Sequence, residues 1–240
     1  MATRLPPLLH PPVGFGRRPP ADGETGLERF RSAVNLGATG VAAEVWATAD
    51  GVPVLHPTGR VGSRFRRRPV ADLTARELPA DTPTLADLYR EVGTDRAVSL
   101  DVPDDRVLEV VLGTVRSAGA GAEDNLWLCH PDLTVLTRWR PRTSARLVNA
   151  IAVRDADGGL ERRAAELEQR GLDGLLLPHK DWSGGRVALL HRFQRLALGW
   201  GVVHEREVAT LVDTGIDGVY CGHVDRMMAV IAEYYGPAGI

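Results

Sequence analysis

The sequence predicts an α/β protein, a closed (β/α)8 TIM barrel built as a single domain over residues 1–240. A short recurring pattern points there first. Gly37-Ala-Thr-Gly40 precedes VAAEV, Gly171-Leu-Asp-Gly174 precedes LLLP, and Gly215-Ile-Asp-Gly218 precedes VYCGH. Each follows a helix-like stretch, respectively LERFRSAVNL, LERRAAELEQR and REVATLVDT. The first glycine suits a left-handed helix C-cap and the second a turn of the backbone into the strand. Helix, glycine turn and buried strand in repetition are the αβ half of a βαβ unit. About eight β/α alternations fit into the chain, which favours a closed barrel over the alternative, an open doubly wound sheet. The length suits one domain, and 44% hydrophobic residues supply its core.

The elements follow in order. Strands are expected at VGF (13–15), VAAEVWA (41–47), RAVSLDV (96–102), NLWLCH (125–130), ARLVNAI (145–151), GLLLP (174–178), LGWGVV (198–203) and GVYCG (218–222). Amphipathic helices are expected near 25–36, 84–92, 105–118, 131–140, 159–170, 184–197, 205–213 and 223–235. Residues 49–83 form an inserted hairpin or loop after the second strand, with several prolines and the basic run Arg64-Phe65-Arg66-Arg67-Arg68. That run reads as a solvated hairpin, with a partner or substrate rim as the lesser reading.

Composition narrows the function. The net charge of −2 offers no nucleic-acid footprint and no polybasic membrane anchor. No apolar stretch approaches the roughly 18 residues of a membrane span, and MATRLPPLLHPP is not a signal peptide. Cys129 and Cys221 lie far apart and form no CxxC, which fits buried thiols in a reducing compartment. The expected location is cytoplasmic. Lys180 is the single lysine among 29 basic residues, a bias that fits arginine-rich codon usage.

In a barrel, chemistry belongs at the carboxyl ends of the strands. Arg17 and Arg18, Glu44, Asp101, His130, Asn149, His179, Trp200 and His223 fall there. An acidic pair among histidines and arginines suits a divalent cation and a phosphate ester. His130, His179 and His204 follow strand ends and are expected to face the mouth, although single histidines there are more often caps or packing residues than catalysts.

GATGVAAEVWATADGVPVLHPTG (37–59), RPVADLTARELPADTPTLADLYREVGTDRAVSLDV and the closing GIDGVYCGHVDRM resemble the glycerophosphodiester phosphodiesterase family over nearly the whole chain. The resemblance implies a (β/α)8 barrel that hydrolyses glycerophosphodiesters to an alcohol and glycerol 3-phosphate. In that scheme a divalent cation on carboxylates polarises the phosphate, and two histidines act as general acid and base. Such chemistry needs neutralised phosphate oxygens and a proton for the leaving alkoxide.

Transferred residue by residue, the family pattern arrives incomplete. Its His-Arg-Gly reads Arg17-Arg18-Pro19, and its Pro-Glu-Asn-Thr keeps Glu24 followed by Thr25-Gly26. The Glu-x-Asp of the second strand reads Ala42-x-Glu44. Counted from Asp50-Gly51, the second histidine falls on Pro57 and its aspartate on Thr58, while His56 stands one place early. Neighbouring strand positions face opposite sides, so His56 points away unless the backbone bulges. Asp101 matches the acid of the third strand, but the lysine two places on is Pro103. The last strand reads Cys221-Gly222-His223-Val224 where the family has Thr-Asp-x-Pro, and Trp200 matches a tryptophan of the seventh strand.

The candidate site is therefore Glu44 and Asp101 for a divalent cation (Mg²⁺ or Ca²⁺, held weakly or lost), Arg17 and Arg18 for phosphate, Glu24 and Trp200 lining the substrate pocket, and His56 as the acid or base only where the backbone bulges to turn it inward. The acidic pair can equally be polar plugs paired with Arg18 or Arg142. Three functions stay open: a family member that keeps binding of a small anionic phosphate ester with hydrolysis weak or lost, an active but divergent phosphodiesterase, and a non-catalytic interaction scaffold.

Overall fold

The structure is a computed structural model that describes residues 7–17, 26–62 and 66–236. Arg18 and Glu24 lie outside the described residues, as do Arg64 and Phe65 of the basic run. The elements in chain order are β1 (Val13–Gly16), α1 (Glu28–Asn35), β2 (Gly40–Ala47), β3 (Pro53–Leu55), β4 (Arg60–Val61), β5 (Arg68–Pro69), α2 (Leu85–Val92) and β6 (Ala97–Asp101). They continue with α3 (Leu108–Ala118), β7 (Leu126–His130), α4 (Leu133–Trp139), β8 (Arg146–Ala150), α5 (Leu160–Gln169), β9 (Gly174–Pro178), α6 (Gly184–Arg192), β10 (Leu196–Val202), α7 (Glu205–Asp213), β11 (Gly218–Cys221) and α8 (Val224–Tyr235).

Eight parallel strands run β1-β2-β6-β7-β8-β9-β10-β11, and β1 pairs with both β2 and β11. The sheet therefore closes, and the (β/α)8 barrel is the fold. Phe15↔Gly40 and Gly16↔Val41 form the closing register. Strand alternation divides the core in two. Phe15, Ala42, Trp127, Cys129, Val148, Leu176, Leu198 and Tyr220 fill the barrel interior. Val41, Ala43, Leu100, Leu128, Leu147, Leu175, Leu177 and Val219 face the helical shell, where they meet residues such as Leu88, Leu112, Leu136 and Leu190. Inside, Phe15 stacks on Tyr220 at 4.4 Å between ring centroids and meets Trp127 edge-on at 5.3 Å.

The recurring Gly-x-x-Gly pattern explains itself at the lower rim. Its first glycine has positive φ each time, 89° at Gly37, 64° at Gly171 and 84° at Gly215. The second glycine is needed for space rather than for a turn. A Cβ on Gly40 would stand 2.7 Å from the Phe15 ring, and one on Gly218 would stand 2.7 Å from Leu198. The residue between them does further work. Thr39 Oγ1 accepts from Gly14 N at 2.8 Å, Asp173 Oδ2 from Leu147 N at 2.7 Å, and Asp217 Oδ2 from Ala197 N at 2.7 Å. In each case a side chain just ahead of one strand satisfies an amide at the start of the preceding barrel strand.

Two expectations shift. The helix expected over 184–197 stops at Arg192, because Gln194 turns left-handed (φ 53°) and Leu196 already belongs to β10. The inserted segment is a folded appendage. β3 returns antiparallel on β2, β4 pairs with β5, and Val54, Val61, Val70, Leu73 and Leu78 form their own small core against Trp46 and Val52. Cys129 and Cys221 are both buried free thiols.

Asp217 is fully buried and also accepts from Leu9 N at 3.1 Å and contacts His191 Nε2 at 2.9 Å. Its removal leaves buried donors without a partner. Asp217→Ala is expected to cost about 2–4 kcal/mol in urea denaturation, and Asp217→Asn less, because the amide oxygen still accepts. An unchanged midpoint for Asp217→Ala would refute the structural role.

Candidate functional site

Three strands deliver the polar groups at the mouth. β2 and β6 pair so that Glu44 and Asp101 are direct register partners. Both stand two residues above interior positions, Ala42 and Ser99, so both turn inward. Arg17 leaves the end of β1, where its N–H donates to Cys221 O at 3.0 Å and continues the ladder with β11. Its Nη2 then reaches Glu44 Oε1 at 2.5 Å and Asp101 Oδ2 at 2.6 Å. The three side chains are about one-fifth to one-third exposed.

Electrostatics follow from this triangle. Burial works against the Arg17 charge, but Asp101 and Glu44 outweigh it and hold its pKa above the ordinary value. Burial pushes the Asp101 carboxyl up; Arg17 pulls it back, Glu44 adds to the push, and the balance stays raised. Below them, Cys129 is fully buried, and its thiol is pushed up to about 12 by burial and by Asp101. It is a packing thiol rather than a nucleophile. Ser99 Oγ lies 2.9 Å from Tyr220 OH and closes the polar floor.

A divalent cation asks for six or more oxygen ligands, with waters making up the shortfall. Between these two carboxylates stands a guanidinium nitrogen. Among the described residues no group of three or more His, Cys, Asp or Glu side chains is placed to hold a metal. As arranged, the residues do not fit a divalent cation. Of the expected phosphate pair, Arg17 spends its Nη2 on carboxylates, although a guanidinium carries further donors on its other two nitrogens.

His56 sits in the strand-end segment after β3. Its N–H donates to Glu44 O at 3.1 Å, and Trp46 Nε1 donates to its carbonyl at 2.7 Å. Its ring turns to its own loop, with Nδ1 accepting from Thr58 N at 3.2 Å. Pro57, and not His56, lines the cavity beside Arg17, Glu44 and Arg29. Burial lowers the His56 pKa, Arg29 and Arg67 lower it further, and Glu44 opposes them.

The histidines expected to face the mouth divide. His130 faces outward, one place beyond the interior residue Cys129, and packs edge-on against Trp139 at 5.4 Å. Its Nδ1 accepts from Asp132 N at 3.0 Å, a helix-start contact. Asn149 also faces the shell. It donates to Pro131 O at 2.7 Å and accepts from Arg163 Nη1 at 2.9 Å. His204 is exposed at the start of α7, and its N–H donates to Glu207 Oε2 at 3.0 Å. His179 does reach the mouth, 3.8 Å from Glu207.

Trp200, 43% exposed, is the shared wall of three cavities. Two of about 330 Å³ meet Arg17, one on the Glu44 side and one on the Asp101 side. The third, about 690 Å³, carries Arg154, His179, Lys180 and Asp181 over the ends of β8, β9 and β10. Sequence reasoning passed over Arg29, buried at the start of α1 and stacked on Phe30 at 4.4 Å, and over Arg154 and Lys180 as a pair. A charged residue on the apolar face of α1 was the available signal for Arg29. The other two come to one cavity only when the barrel forms.

No family model matches the chain, and no curated protein matches it. Solved structures do. A candidate glycerophosphoryl diester phosphodiesterase from Silicibacter pomeroyi aligns with TM-score 0.78 at 18% identity, covering 94% of this chain and 95% of that one. A glycerophosphodiester phosphodiesterase from Thermotoga maritima aligns with TM-score 0.75 at 21% identity, covering 89% and 95%. An Oleispira antarctica phosphodiesterase in complex with the product sn-glycerol-3-phosphate aligns with TM-score 0.75 at 15% identity, covering 92% and 96%. The fold is the barrel that these phosphodiesterases share.

The buried histidine gives a test in pH. Burial holds His130 below its usual pKa, against the opposing pull of Asp132. The unfolded chain therefore takes up the proton first, and stability falls as pH drops through the unfolded value of about 6.5. The unfolding free energy is expected to decline between about pH 6.5 and 5, by up to about 1.4 kcal/mol per pH unit and site. His130→Asn, which can still accept from Asp132 N, is expected to flatten that slope. A slope unchanged by the substitution would count against the assignment.

Proposed function

We propose that this chain is a divergent member of the glycerophosphodiester phosphodiesterase family, cytoplasmic, that binds a small anionic phosphate ester at the barrel mouth with hydrolysis weak or lost. The observation that carries the reading is Arg17 between Glu44 and Asp101. Hydrolysis of a phosphodiester needs cationic stabilisation of the developing charge and a proton donor for the leaving oxygen. In this mouth the guanidinium is tied to two carboxylates, and three charges of which two are negative leave the centre at −1. Pro57, with no ring proton to give, lines the cavity beside Arg17 and Glu44, and it is the residue on which the count from Asp50-Gly51 puts the family's second histidine. Each missing acid or base group is worth about 10²–10⁴ in rate.

Binding has better support than turnover. Arg29 lines the Glu44-side cavity, and Arg154, His179 and Lys180 line the largest one. Trp200 offers all three cavities a flat apolar wall for the alcohol portion of an ester. The product complex of the Oleispira antarctica protein supports a phosphate ester as the ligand class.

Incubated with glycerophosphocholine or bis(p-nitrophenyl) phosphate and Mg²⁺, Ca²⁺ or Mn²⁺, the purified protein is expected to release no product above the blank. Glycerol 3-phosphate is expected to raise the melting temperature, with a stabilisation of about 2.7 kcal/mol at a hundredfold excess over Kd. Trp200→Ala and Lys180→Gln are expected to weaken that response. Cation-dependent release that disappears in Glu44→Gln and Asp101→Asn would establish an active phosphodiesterase instead.

A further inference from the structure

We propose that Arg17 is a built-in replacement for a divalent cation, and that Glu44 and Asp101 form a latent cation site which the guanidinium keeps shut. The distances carry this. Arg17 Nη2 lies 2.5 Å from Glu44 Oε1 and 2.6 Å from Asp101 Oδ2. Calcium–oxygen distances are about 2.3–2.6 Å, so this nitrogen stands within a few tenths of an ångström of where a Ca²⁺ ion bound to the same two oxygens would stand. Their strands hold the two carboxylates as register partners, so both already turn toward the same point.

The surroundings suit the exchange. Cavities of about 330 Å³ flank Arg17 on the Glu44 and Asp101 sides, room for the waters that complete a shell around two carboxylates. What excludes a cation in the natural chain is the guanidinium, which fills the position and supplies the positive charge. Because Arg17 is covalently part of the chain, its effective concentration at the pair is not set by the medium. The natural protein is thereby freed from any cation requirement at this point. The inference concerns the carboxylate pair alone and holds whichever ligand the mouth takes.

The test compares the natural chain with Arg17→Ala, by melting in chelator and in about 10 mM Ca²⁺ or Mn²⁺, since a site of two carboxylates is expected in the weak, near-millimolar range. The natural chain is expected to melt at the same temperature in both media. Arg17→Ala is expected to melt lower in chelator, by about 5 °C, as two facing carboxylates lose their counter-ion, and to recover with the cation. Titration calorimetry is expected to show cation binding to Arg17→Ala and none to Arg17→Ala/Asp101→Asn. An Arg17→Ala protein that ignores the cation, or a natural chain that responds as strongly, would overturn the inference. Arg17→Gln keeps most of the stem and gives the same comparison if Arg17→Ala does not fold. The proposed function fails separately: turnover by the natural chain refutes it even if Arg17→Ala gains a cation, and an inert natural chain leaves it standing even if Arg17→Ala does not.

Discussion

Two carboxylates held side by side on neighbouring parallel strands are the constraint from which the mouth follows. Glu44 and Asp101 are register partners. Adjacent strands lie about 4.8 Å apart, and at that separation two unit charges repel by about 3 kcal/mol with an effective dielectric near 20. A positive charge close by offsets that repulsion. Arg17 supplies it, and only because β1 closes the barrel between β2 and β11. A slip of one residue in that four-residue strand would turn Arg17 out of the interior. The closing register, the ion triangle and the shape of the mouth are thus one structural fact seen at three scales.

The barrel separates its duties between its two ends. The lower rim carries the side-chain-to-amide contacts of Thr39, Asp173 and Asp217, which hold strand starts together. Its middle is filled by aromatic and aliphatic side chains, with the Phe15–Tyr220 stack near the closure. Charge collects at the upper rim, around Trp200 and Arg17. Such a division is what a barrel offers: stability from the bottom and middle, chemistry from the top.

Much of the frame was readable in the sequence. The glycine pattern located three helix-to-strand junctions, and all eight barrel strands fall where alternation placed them, because local hydrophobic patterning and backbone freedom are properties of short stretches. GLLLP is a strand over residues 174–178, as expected. The candidate site was harder to read. Glu44 and Asp101 could be set at neighbouring strand ends from the strand assignments, and counting put the family's second histidine on Pro57. That Arg17 reaches across to both depends on closure between residues 27 and 84 positions apart. His130 was misplaced for a smaller reason: it lies one residue from the strand's interior-facing position, and only the register shows which of two neighbours points inward. The end of α6 was missed because a left-handed glutamine carries no compositional signal.

The contacts at the lower rim have a bearing on how such a protein can change. Each ties one strand to its predecessor without drawing on anything at the opposite end. Residues around the opening can then drift, one proline or arginine at a time, while the staves stay hooped. A scaffold put together in this way can change its mouth without losing its frame, and the same independence makes it a workable blank on which imidazoles and acids could be installed.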